Sequence, residues 1–160
     1  PLSPPVVFRY VNGDSATFRG GELELNQRIS GLLSWWGSVS YTRAEDETFD
    51  EPVLGIPPLT ARVGLRVEPA GGPWWGAVTA TVAGEQDRVA TARFETPTAG
   101  YTTVDLRGGF RFPAGWELLA GVDNLTDKDY VHHLNAKNPF TSARIAEPGR
   151  NVYLGVSWSL

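Results

Sequence analysis

NVYLGVSWSL, residues 151–160, alternates without a break. Val152, Leu154, Val156, Trp158 and Leu160 fall on one parity, and Tyr153, Gly155, Ser157 and Ser159 on the other. An extended chain puts the two sets on opposite faces, one apolar and one polar. The alternation runs to the last residue, which suits a strand of a membrane barrel and seldom closes a globular chain.

The same pattern recurs upstream. Val104, Leu106, Phe110 and Phe112 alternate with Asp105, Arg107, Gly109 and Arg111. Ala61, Val63, Leu65 and Val67 alternate with Arg62, Gly64, Arg66 and Glu68. From Leu33 to Thr42, Leu33, Trp35, Gly37, Val39 and Tyr41 oppose Ser34, Trp36, Ser38, Ser40 and Thr42. With Val7 to Val11, Ala16 to Gln27, Trp74 to Ala83 and Trp116 to Asn124, roughly eight antiparallel strands of about ten residues are expected, the length of a tilted membrane-spanning strand. No segment carries a helical stripe.

The connections alternate in length. Tight turns at Gln27 to Gly31, Pro69 to Pro73 and Phe112 to Gly115 interleave with long stretches at Glu45 to Pro58, Gln86 to Gly100 and Lys128 to Gly149. Short turns at one end and long loops at the other are the habit of outer-membrane barrels; the short connection at Asn12 to Ser15 is the exception. Trp74 and Trp116 open strands just after short turns, and Trp158 reaches the same end, where an aromatic girdle would sit at a lipid interface.

Composition narrows the classes further. No run of about 18 apolar residues exists, so a membrane role must use strands, and no charged-then-apolar leader is visible. The chain has no cysteine, which removes disulfides, thiolate metal sites and cysteine nucleophiles. It has no methionine either, so Pro1 is expected to be an internal cut of a longer chain, although a processed N-terminus would look the same. A net charge of -4 without a basic run argues against nucleic acid. A soluble β-sandwich binding module, exposing the Trp36 and Trp75 parity as a platform, is the competing reading. A free-standing small outer-membrane barrel is a third. The continuous apolar parity, the charged opposite parity and the loop asymmetry favour the large barrel.

GVDNLTDKDY at 121–130, followed after a loop by EPGRNVYLGVSWSL, resembles the C-terminal end of TonB-dependent outer-membrane receptors. YVNGDSATFRGGELEL, VSYTRAE, GIPPLTARVGLR, QDRVA and TAGYTTVDLRGGFRF are similar to the same family in the same order, and they span nearly the whole chain. The branch that looks closest includes copper receptors and their cobalamin- and siderophore-importing relatives. The resemblance implies an all-β, up-and-down transmembrane barrel of about 22 strands, of which residues 1–160 supply about the last eight, without plug domain or signal peptide. It implies periplasmic short turns, extracellular long loops, and a receptor that imports a scarce nutrient using TonB-coupled energy. It further implies no enzyme activity, no cofactor, and as partners outer-membrane lipid and lipopolysaccharide, the chain's own N-terminal plug and remaining strands, and the TonB complex. The family usually closes on an aromatic residue, whereas this chain ends on Leu160.

Several residues are candidates for function. His132 and His133 lie in the last long loop, where an imidazole can bind copper, zinc or iron in a substrate; adjacent residues on an extended chain point opposite ways, so one metal rarely takes both. If they do not touch substrate, they are expected to be exposed loop residues. Glu147, Asp50 and Glu51 are further loop candidates. The stretch Glu45, Asp46, Glu47, Asp50 and Glu51 reads as a solvated loop or a collector of divalent ions. Asp123, Asn124, Asp127 and Asp129 have the oxygen chemistry of a hard-cation site, but Asn124 and Asp127 suit better a strand end held by side-chain bonds to backbone. Arg62, Arg66, Arg107, Arg111, Glu22, Glu24, Glu68 and Asp105 occupy the polar parity and are expected to face a lumen, pairing across strands or with the plug. For a serine hydrolase the histidines could in principle serve with Ser142, but no nucleophile elbow is visible.

Overall fold

The computed structural model describes residues 15–138, 140–141 and 143–159. The strand expected over 7–11, the connection at 12–14, Ser142 and Leu160 lie outside them. The strands are β1 (Ala16–Arg28), β2 (Leu33–Asp46), β3 (Glu51–Pro52), β4 (Thr60–Val67), β5 (Trp74–Ala83), β6 (Tyr101–Arg111), β7 (Trp116–Asp123) and β8 (Asn151–Trp158). They form one sheet in the order β1-β2-β4-β5-β6-β7-β8, each paired antiparallel with its neighbour, with β3 added beside β2. This is the wall of a partial up-and-down barrel. Only the two-residue β3, inside the 45–58 loop, was not expected. β2 runs four residues past Thr42 because β1 stays in register with it to Ala16↔Asp46, so pairing overrides the polar composition of its end.

The tight turns sit where the composition puts them. Ser30 Oγ accepts from the backbone N–H of Leu32 and Leu33 and closes the β1–β2 turn. Gly72 N–H donates to Pro69 O at 2.9 Å between β4 and β5. At the β6–β7 turn Gly115 has φ +81°, and a Cβ there would come within 1.9 Å of the Ser159 carbonyl oxygen, so only glycine fits.

Register makes the two faces continuous. Leu33, Val67, Gly76, Gly108, Ala120 and Leu154 are partners in succession across six strands, and Trp35, Leu65, Val78, Leu106, Val122 and Val152 form the next row. On the opposite face Ser34, Arg66, Ala77, Arg107, Gly121 and Tyr153 form one row. The apolar face is bare: Val152 and Leu154 are each 70% exposed, and among the described residues no large side chain is fully buried. Water does not tolerate an apolar surface of this extent on a soluble monomer, and a sandwich would cover it with a second sheet that the described residues do not contain. Trp116 and Trp158 are register partners with rings 6.0 Å apart at the short-turn end, and Trp74 pairs with Phe110 at that end.

Three aromatic rings on the polar face lie over glycines directly opposite them: Trp36 over Gly64, Trp75 over Gly109 and Tyr153 over Gly121. A Cβ on these glycines would fall 2.2, 2.4 and 2.3 Å from the respective ring atoms. The rings can therefore lie flat only because the opposed residue has no side chain, and they cover backbone that glycine would leave bare. Arg62 and Arg66 stack on Trp36 and Trp75, their guanidinium carbons 5.6 and 4.0 Å from the ring centres.

Candidate functional site

The polar face gathers Arg62, Arg66, Arg107, Arg111, Glu22, Glu24 and Asp105 on one side of the sheet. Glu68 receives Arg66 Nε and Arg111 Nη2, each at 2.9 Å, and Arg111 Nε lies 3.7 Å from Glu117. Arg107 donates to Asp123 at 3.2 Å. Asp105 accepts the backbone N–H of Asn124 at 2.8 Å and adds to the negative charge around Arg107. Glu22 and Glu24 face Ser40 and Ser38 in register.

At the opposite end from the tight turns, the three long loops are tied into one body. Glu95 is the hub. Its carboxylate accepts the backbone N–H of Gly55 at 2.9 Å and of Ala90 at 2.7 Å, and faces His133 Nε2 at 3.1 Å. His133 Nδ1 lies 2.9 Å from Thr98 Oγ1. With Glu95 ionised, Nε2–H donates to it and the Thr98 hydroxyl donates to Nδ1, so both nitrogens are used. Burial pushes the His133 imidazole below its ordinary value, against the upward pull of Glu95. For Glu95, burial pushes the carboxyl up, but the N–H groups of Ala90 and Gly55 together with His133 hold it below the usual carboxylate value.

Two expectations about these loops are corrected. His133 is not exposed: it is 2% accessible, because the 84–100 and 124–150 loops close over it. The acidic stretch is only partly a solvated run: Asp46 is buried, Glu45 and Glu51 are half-buried, and Glu47 and Asp50 are exposed. Glu45 pairs with Arg43 and Arg88, Asp46 with Arg93, Glu47 accepts from Ser15 and Thr17, and Glu51 accepts the N–H of Ala92. These carboxylates hold neighbouring loops, and Asp50 alone of the five is an exposed turn residue without such a tie among the described residues, with φ 51°. No group of three His, Asp or Glu side chains arranged for a metal occurs among the described residues.

Asn124 and Asp127 end β7 as their chemistry suggests. Both have left-handed backbone, φ 51° and 54°. The Asn124 side chain accepts from Lys128 N–H at 2.9 Å and donates to Lys128 O at 2.8 Å, while Asp127 accepts the N–H of Arg150 at 2.8 Å.

Where the polar face meets the loops there is a cleft of about 450 Å³. Its walls include Arg62, Tyr101, Asp105, Arg107, Tyr130, His132 and Glu147. The rings of Tyr101 and Tyr130 are 4.2 Å apart, and Glu147 is positioned by its own N–H to Tyr130 O at 3.0 Å and by Asn135 Nδ2 at 2.6 Å. His132 and Glu147 thus come together with Arg62, Arg107 and Asp105, whereas His133, Asp50 and Glu51 stand elsewhere. The tyrosine pair and Glu95 escaped sequence reasoning; a tyrosine at each of two strand or loop ends carries no periodic signal. A larger concavity of about 770 Å³ lies along Gly76, Gly108 and Ala120 on the bare apolar face and offers almost nothing polar to orient a solute.

A family model described as TonB dependent receptor-like, beta-barrel, matches residues 1–125. Among solved structures, the copper transporter OprC is 32% identical with a TM-score of 0.83, over 91% of this chain and 23% of that one. A variant of the ferric enterobactin receptor PfeA from Pseudomonas aeruginosa is 25% identical with a TM-score of 0.71, over 91% of this chain and 22% of that one. The ferric yersiniabactin uptake receptor FyuA from Yersinia pestis is similar in fold, with a TM-score of 0.70 and 19% identity over 88% of this chain and 23% of that one. The chain therefore spans about a quarter of the length of the solved relatives it matches. No curated protein matches it.

Proposed function

The chain belongs to the TonB-dependent receptor-like β-barrel family, and from that premise we propose that it forms the C-terminal wall and loops of a bacterial outer-membrane receptor taking up a metal or metal chelate. The energy for opening comes through TonB acting on a plug that these residues do not include. The apolar face meets lipid, the polar face meets the lumen, and the tied loops are extracellular. The observation that carries this reading is the continuous bare apolar face opposite a face rich in charge, which suits a wall between lipid and a polar interior. Arg62, Arg66, Arg107, Arg111, Glu22, Glu24 and Asp105 then seat the plug and stiffen the wall, and they do no chemistry.

The cleft at the loop end is the surface these residues offer to cargo. His132 supplies an imidazole there, with the Glu147 carboxylate and the two tyrosines beside it. His133 is closed off by Glu95 and Thr98. Similarity to a copper transporter supports a metal or metal chelate as cargo over a metal-free nutrient. The chain has no cysteine or methionine, so any soft sulfur ligand for copper comes from other parts of the receptor.

The test is uptake by cells that carry the full-length receptor as their only route for the cargo. Radiolabelled copper and iron chelates are supplied at limiting concentration, with and without TonB. TonB-dependent accumulation of one of them, reduced by His132→Ala while outer-membrane recovery is unchanged, is the expected result. A receptor recovered in the soluble fraction, with no heat-dependent shift in gel mobility, would overturn the barrel reading and return the sandwich to first place.

A further inference from the structure

Arg19 on β1 and Arg43 on β2 are direct register partners. They share a face with Leu23, Leu25, Val39 and Tyr41, which is the bare apolar face, not the polar one. Directly opposed like charges across an antiparallel pair have Cβ atoms about 5 Å apart and destabilise it. Arg43 gives Nε and Nη2 to Glu45 at 3.0 and 2.9 Å, and Arg88 reaches the same carboxylate. Among the described residues Arg19 has no hydrogen-bond or ion-pair partner. Arg43 and Arg88 therefore share one carboxylate, and Arg19, directly opposite Arg43, is left without an anionic partner among the described residues. Glu47, the next carboxylate on this side, is occupied by the hydroxyls of Ser15 and Thr17.

Height along the strand fixes what this spot meets. Ten residues separate Leu33, at the short-turn end of β2, from Arg43. At a strand tilt of about 40° ten residues climb about 25 Å, the height of the apolar band of such barrels. Tyr41, two residues earlier on the same face, takes the place of an aromatic at the upper interface. An outward arginine at mid-band would cost about 2 to 4 kcal/mol, and near the interface about 0 to 1. Arg19 and Arg43 thus stand at the rim, where acyl chains end and headgroups begin.

We propose that Arg19 and Arg43, with Arg88 behind them, bind a phosphate monoester of lipid A, whose acyl chains run down the apolar face past Val39 and Leu23. The inference rests on the barrel reading above, which sets this face against lipid. A dianionic phosphate gives Arg19 the anionic partner it lacks and relieves its opposition to Arg43, and the guanidinium forks match its oxygens.

The experiment uses the full-length receptor in nanodiscs containing either bis-phosphorylated lipid A or its dephosphorylated form, with lipid A retained per receptor counted by native mass spectrometry. The wild type is expected to prefer the phosphorylated lipid by about tenfold. Arg19→Gln/Arg43→Gln is expected to remove that preference, and Arg19→Lys/Arg43→Lys to keep part of it. Equal retention of both lipids by the wild type, or an undiminished preference in the glutamine variant, overturns the proposal. Heat-shifted mobility separates the cases: a variant that still shifts is a folded barrel, so loss of preference is loss of the site. A wild type without the shift is a failure of the barrel reading itself. If the double variant does not assemble, Arg19→Gln alone gives the same comparison.

Discussion

Glu95 and His133, 38 residues apart in the chain, meet at 3.1 Å with both side chains out of solvent, and this one contact joins two of the three long loops. Gly55 extends it to the third by donating its N–H to the same carboxylate. The long-loop end is therefore a single body and not three independent loops.

Acid should loosen that body. Free histidine titrates near 6.5, and the folded His133 titrates lower, so below 6.5 the open loops bind more protons than the closed ones and stability falls as pH drops toward the folded value. Glu95, also lowered, contributes above about 4.5 and loses its contribution only at still lower pH. Hydrogen exchange at the Gly55 and Ala90 amides, corrected for intrinsic rate, is expected to accelerate between pH 7 and 5.5 in the wild type. In His133→Gln that pH dependence should vanish.

Removing the hub should be costly. Glu95→Ala leaves two backbone N–H groups and the Nε2–H of His133 unpaired in a closed space, and a loss of about 1 to 3 kcal/mol in loop closure is expected. Limited proteolysis of the full-length receptor reads it, with cleavage appearing in the 84–100 segment while the heat-shifted barrel band persists.

The two faces of the sheet should respond oppositely to the same substitution. Leu106→Arg puts a guanidinium on the apolar face and is expected to cost about 2 to 4 kcal/mol in a lipid setting. Thr79→Arg stands directly opposite Asp105 on the other face and should cost less than about 1 kcal/mol. Urea unfolding of the receptor in bilayers compares them; equal costs would contradict the assignment of the faces.

The rings laid over glycines make a coupled prediction. Gly109→Ala should displace Trp75, break its 3.2 Å bond to Glu117 and weaken the stacking of Arg66, costing about 1 to 3 kcal/mol. Adding Trp75→Ala should make the second methyl nearly harmless. A double-mutant cycle by the same unfolding measurement gives the coupling, and additive losses would show that ring and glycine do not depend on one another.

Asn124 separates backbone from side chain. Asn124→Gly keeps the left-handed φ freely but loses the clasp on Lys128, for an expected loss of about 1 kcal/mol; Asn124→Ala loses both and should cost about twice that. The order of the two in urea midpoint is the measurement.

Period-two alternation alone determined which residues line each face, where seven of the strands run and which connections are short, because a residue's face follows from its parity and nothing distant enters. The same local rule identified Asn124 and Asp127 as the end of β7, since an Asx side chain closes on backbone a few residues away. Tertiary structure alone decided the rest. Whether His133 is exposed depends on a glutamate 38 residues off, and whether Glu45 or Asp46 is solvated depends on Arg88 and Arg93 in another loop. The flat rings of Trp36, Trp75 and Tyr153 depend on which residue pairing sets opposite them, and the confrontation of Arg19 with Arg43 exists only in the register of β1 on β2. Parity is a property of one strand; register and loop packing belong to several at once, and their energies are fixed only when distant segments are brought to hydrogen-bonding distance.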